Sequence, residues 1–83
     1  MEKYIEWLKG YFSKKNELPE NVEEINYFEA GLIDSLDAIE LIEAIEDKFD
    51  IRFNENDFQD RRFAFIKGLA EIINEIKGER NGQ

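Results

Sequence analysis

The stretch EAGLIDSLDAIELIEAIEDKFDI, residues 29–51, decides the fold. From Ser35 to about Phe49 the residues Ala38, Leu41, Ile42, Ile45 and Phe49 fall on one side when placed at about 100° per residue, which predicts an amphipathic helix. On the same projection Leu36, Glu40, Glu43 and Asp47 form a second stripe, spaced i, i+4, i+7 and i+11 and facing away from the apolar one. The helix therefore has one face for a core and one for solvent or a partner.

Working toward the N-terminus, residues 13–34 hold Ser, Asn, Pro19 and Gly31 among scattered charges, with Leu18, Val22, Ile25, Tyr27 and Phe28 as apolar pins. This composition predicts a long connection containing a helical turn. A structureless connection of this length is uncommon in a compact domain and signals either a functional loop or an unrecognised element; here it delivers the chain to Ser35. Before it, Tyr4, Ile5, Leu8, Tyr11 and Phe12 recur at three- and four-residue spacings, predicting a first helix over 2–12.

Toward the C-terminus, residues 50–61 mix Phe53 and Phe58 with Asn, Asp and Gln, which predicts a loop with a short helical turn that tucks one or two aromatics inward. Phe65, Ile66, Leu69, Ile72, Ile73 and Ile76 predict a final helix, with Lys77 and Gly78 as its stop. The expectation is an all-α four-helix bundle of three longer amphipathic helices and one short one. It forms a single domain over 1–78 with a flexible tail at 79–83.

With 83 residues, the chain suits one small core rather than two lobes around a deep cleft. Hydrophobic residues make up 42% of it, enough for a core despite 37% charged residues. No stretch approaches the roughly 18 apolar residues of a membrane span, and Met1-Glu2-Lys3-Tyr4 lacks the layout of a secretory signal, so a cytoplasmic location is expected.

Cys and His are both missing. Their loss removes the thiol, the commonest metal ligand and the usual general base near neutral pH, so intrinsic catalysis and a protein-held metal are not expected. Twenty acids against eleven bases give a net charge of −9, which repels nucleic acid and anionic membranes and favours a basic protein surface as partner. The charge is concentrated in residues 35–50, where Asp37, Glu40, Glu43, Glu46, Asp47 and Asp50 face only Lys48.

Asp34 and Ser35 stand where the second helix begins, and the oxygens of either side chain suit the unsatisfied N–H groups of its first turn. Gly31-Leu32-Ile33 places a flexible residue and two apolar anchors just ahead, which would hold the loop down and leave the Ser35 hydroxyl exposed. A phosphate ester there would meet the positive end of the helix dipole, worth up to about 1 kcal/mol when exposed. Leu36 among charges fits a docking face, in which an apolar anchor is surrounded by acids that steer the partner.

GLIDSLDAIELIEAIEDKFDI resembles the central segment of the acyl carrier protein family, whose Asp-Ser-Leu motif opens an acid-rich second helix. Phe28, Gly31, Asp34, Ser35, Leu36, Glu40 and Phe49 fall in family-like places. The resemblance implies a monomeric four-helix bundle in which Ser35 receives 4′-phosphopantetheine from coenzyme A. A separate magnesium-dependent phosphopantetheinyl transferase, the holo-carrier synthase, performs the transfer, and Asp34 belongs to the motif that enzyme modifies. The resemblance further implies thioester-bound acyl cargo in fatty-acid or related acyl and polyketide biosynthesis. Acyl-handling enzymes with basic patches would dock on Leu36, Asp37, Glu40, Glu43, Glu46 and Asp47.

Three features depart from the fatty-acid carriers. Glu43 stands where many have an apolar residue, Leu32-Ile33 precede the Asp-Ser pair, and Asp60-Arg61-Arg62-Phe63-Ala64-Phe65 replaces the small hydroxyl residue that often starts the last helix. The second feature is also reminiscent of D-alanyl and peptidyl carriers. Other readings stay open from the residues: an unmodified acidic adaptor with Ser35 solely as a cap, or a small enzyme using Asp34 and Asp37. A calcium loop at Asp50–Asp57 is disfavoured, because its third position is Arg52 and its sixth is Glu55.

Overall fold

The computed structural model describes residues 1–14 and 16–79. Four α-helices follow in order: α1 (Glu2–Ser13), α2 (Ser35–Phe49), α3 (Glu55–Gln59) and α4 (Ile66–Glu79). Two 3₁₀ turns, Val22–Glu24 and Arg61–Ala64, lie in the connections, and the described residues contain no strand. The expected all-α bundle with one short helix is the observed architecture. Helix α4 takes in Glu79, one residue past the expected stop, and the rest of the expected tail, 80–83, lies outside the described residues.

Helix α4 is the apolar centre: Ile66, Leu69, Ala70, Ile72, Ile73 and Ile76 are all buried. α1 meets it with Tyr4, Ile5, Leu8 and Phe12, and α2 contributes Leu41 and Ile45. Fully burying one such aliphatic side chain stabilises by roughly 1.5–3 kcal/mol, so these three faces dominate the energetics. Aromatic rings tie α1 to the end of α2: Phe49 lies edge-on to Tyr4 at 5.0 Å and to Trp7 at 5.5 Å between centroids.

The long connection is anchored. Val22 and Tyr27 are buried, while Leu18 and Ile25 pack partly buried against the core. Tyr27 staples it to the second 3₁₀ turn: its backbone N–H donates to the Ala64 carbonyl at 3.0 Å and its hydroxyl donates to the Phe63 carbonyl. Burial pushes the Tyr27 phenol pKa well above its ordinary value, so the group stays a donor. Phe28, expected as a pin, is instead 39% exposed. Asn26 Oδ1 accepts the N–H groups of Phe28 and Glu29 at 2.9 and 3.1 Å, a local turn that directs the Phe28 ring away from the core.

On the other side, Phe53 is buried and Phe58 is 46% exposed, so one of the two aromatics of that loop turns fully inward. Phe58 still contacts the Phe63 ring at 5.5 Å. Phe65, read as the first apolar step of the final helix, lies just before it, half-buried and bridged antiparallel to Asn26.

Candidate functional site

The N-terminus of α2 is built by two aspartates. Asp34 is the N-cap: its Oδ1 accepts the Asp37 N–H at 2.9 Å, and Asp37 Oδ2 in return accepts the Asp34 N–H at 3.4 Å. This reciprocal box satisfies donors that the first turn otherwise leaves open. The same device recurs at α3 with Asn54 and Asp57. Ser35 is thus the first helical residue and not the cap. Its hydroxyl has no hydrogen-bond partner among the described residues, and the side chain is exposed.

The approach to Ser35 is fixed from three directions. Gly31 adopts φ +76°, a left-handed conformation suited to glycine, and Leu32 N–H donates to the Tyr27 carbonyl at 3.0 Å. Ile33 is buried and Leu32 half-buried, so the two expected anchors do hold the loop. Asn16, which sequence reasoning passed over, donates from Nδ2 to the carbonyls of Phe12 and Leu32 at 3.2 and 3.0 Å, joining the end of α1 to this loop. The partly open space lined by Tyr11, Phe12, Leu32 and Ile33 is only about 20 Å³, about one water molecule's worth. An open depression of about 560 Å³ adjoins Ser35 on the same side.

Along α2, Leu36 is 74% exposed and Glu40, Glu43 and Asp47 are exposed with it. Ile39 is 56% exposed as well, a second surface apolar residue three positions from Leu36 that the one-stripe reading missed. Asp37 is half-buried in the capping box. Glu46 differs from the outer stripe: half-buried, its Oε2 accepts the Phe53 N–H at 3.0 Å and fixes the loop after the helix.

Arg62 brings three acids together. It pairs with Asp60 at 2.9 Å, Glu71 at 3.4 Å and Glu75 at 2.7 Å, bracing the second 3₁₀ turn on α4. Hydrogen bonds from Arg62 hold the carboxyls of Asp60 and Glu75 below their ordinary pKa, and those acids hold the guanidinium charged. Among the described residues no group of three or more His, Cys, Asp or Glu is arranged to hold a metal ion. No helix among them is long and apolar enough to cross a membrane.

Ser35 is thus an exposed, unpartnered serine at the first turn of an acid-faced helix. The family profile described as "Phosphopantetheine attachment site" matches residues 6–76. The chain belongs to this phosphopantetheine-attachment family. Members of the phosphopantetheine-attachment family carry covalently bound 4′-phosphopantetheine, interact with phosphopantetheinyl transferases and acyl-handling enzymes, and serve typically as carriers. No curated protein and no solved structure matches the chain. The site fits the family's prosthetic group in that Ser35 offers a free oxygen nucleophile at an open surface, with no side chain of the described residues bonded to it.

Proposed function

We propose that this chain is a carrier protein whose Ser35 bears the 4′-phosphopantetheine arm and delivers acyl intermediates to partner enzymes. The observation that carries the reading is the division of labour at the start of α2: Asp34 caps the helix, so the neighbouring hydroxyl is left exposed and unbonded. When bound, the arm supplies the thiol that the sequence lacks. Ser35 Oγ attacks the coenzyme A phosphorus bonded to the pantetheine oxygen, forming a phosphodiester and breaking the pyrophosphate P–O bond. Adenosine 3′,5′-bisphosphate leaves, and the hydroxyl proton passes to a base on the transferase. The chain itself performs no chemistry beyond offering that oxygen.

Leu36 and Ile39 form the apolar part of the docking face, and Glu40, Glu43 and Asp47 its charged part, facing basic transferase and acyl-handling surfaces. Asp37 contributes charge while holding the cap. Glu46 belongs to the fold more than to the face, because its carboxylate already holds the Phe53 amide. The proposed cargo is acyl, in fatty-acid or related acyl or polyketide biosynthesis in the cytoplasm, on the resemblance of residues 31–51 to acyl carriers, with D-alanyl or peptidyl cargo as the alternative suggested by Leu32-Ile33.

The test is intact mass after incubation with coenzyme A, magnesium and a broad-specificity phosphopantetheinyl transferase. The expected result is the addition of one phosphopantetheine, lost in Ser35→Ala. A chain that gains nothing is an acidic adaptor, and a gain that survives Ser35→Ala places the arm elsewhere.

A further inference from the structure

Beside Ser35 the surface opens into a depression of about 560 Å³ whose walls include Asn16, Phe28, Leu32, Asp34 and Asp37. That volume lies within the roughly 300–1,000 Å³ typical of small-molecule sites. We propose that this depression, on the side of α2 facing the first connection, is the resting site of the pantetheine arm. The inference rests on Ser35 as the attachment point and goes beyond it by naming where the arm lies.

Asn16 supplies the polar recognition. Its amide nitrogen has two hydrogens, and both carbonyls it meets, Phe12 and Leu32, are acceptors. Those bonds identify the nitrogen end of the amide and leave Oδ1 as an acceptor with no partner among the described residues. No buried side-chain oxygen or nitrogen among the described residues lacks a partner, so this oxygen is open to solvent and to an incoming donor. A pantetheine chain carries two amide N–H groups.

Phe28 and Leu32 supply the apolar recognition. The Phe28 ring is 39% exposed yet held in place by the Asn26 turn and by the Tyr27 ring at 5.0 Å. It suits the gem-dimethyl group of the arm, which is apolar and sits near the phosphodiester. The carboxylates of Asp34 and Asp37 line the same depression and repel a free anion, while a chain that is neutral beyond its phosphodiester suffers little. Charge thus selects the tethered arm over a second phosphate ligand.

The experiment loads the full chain with a ¹³C,¹⁵N-labelled arm, checks loading at Ser35 by mass, and records NOEs and amide exchange of the arm. Expected are NOEs from the gem-dimethyl protons to the Phe28 ring and Leu32 methyls, and arm amide exchange severalfold slower than in free phosphopantetheine. Phe28→Ala, which removes an exposed ring and spares the core, should abolish the ring contact and bring exchange closer to the free rate. A loaded chain whose arm shows free-ligand exchange, or NOEs only to residues outside the depression, overturns the resting site and leaves the carrier reading intact. Absence of any mass gain at Ser35 overturns both.

Discussion

Asp34 Oδ1 and the Asp37 amide lie 2.9 Å apart, and this bond takes from Ser35 the capping duty its position would otherwise give it. The two adjacent residues should therefore respond differently to mutation. Asp34→Ala is expected to lower stability by about 1 kcal/mol, the usual effect of losing an N-cap. Ser35→Ala should change it by no more than about 0.5 kcal/mol, as at an ordinary surface site. Urea titrations of both variants check this, and equal losses would show that Ser35 shares the cap.

The acidic face of α2 is expected to act through charge. Glu40→Lys with Asp47→Lys should slow loading by a basic transferase and flatten its dependence on salt, since exposed charges are screened over about 10 Å at 0.1 M. Leu36→Ala should weaken loading with little change in the salt slope. Unchanged initial rates at low ionic strength in both variants would remove docking from this face.

Gly68 is a place where α4 tolerates no side chain. A Cβ built there would come within 2.7 and 2.8 Å of Arg62 Cβ and Cα and closer still to the Arg62 carbonyl oxygen. Alanine gains about 1 kcal/mol of helix propensity. The clash falls largely on backbone, and overpacking of this kind costs about 1–3 kcal/mol. Gly68→Ala should therefore destabilise the fold, because so close a backbone clash outweighs the gain of about 1 kcal/mol in helix propensity, whereas Gly10→Ala, with open space around it, should stabilise α1. Thermal melts that show both substitutions stabilising would contradict the close approach.

The Arg62 brace should give stability an acid limb. Hydrogen bonds from Arg62 lower the folded-state pKa of Asp60 and Glu75, so their contribution is present above the unfolded carboxylate pKa, about 4. It is lost as pH falls from there through the lowered folded values. Both carboxylates are partly exposed, which limits the size of the effect. Melting temperatures of wild type and Arg62→Met should differ at pH 6 and converge toward pH 2. A constant difference across that range would assign Arg62 a packing role alone.

Much of this molecule was readable one residue after another. The stepping of Leu41, Ile45 and Phe49, or of Ile66, Leu69 and Ile73, repeats at the period of one helix, so the face that must leave water is written locally. Phe28 departs from its expected inward place for the opposite reason. An aromatic in an irregular segment has no period, and its direction follows from turns such as the one Asn26 makes. The cap had a signal that sequence reasoning underused, because Asp34 and Asp37 stand three apart, as Asn54 and Asp57 do.

The sequence by itself determined four helices, the acidic outer stripe and the position of the serine, because each depends on spacing within one segment. Only the tertiary structure decided that Asn16 reaches Leu32, that Tyr27 holds Phe63, and that Glu46 serves the Phe53 amide. These bonds join groups distant along the chain, and a polar side chain's partner there is selected by which backbone groups the packed helices bring within reach.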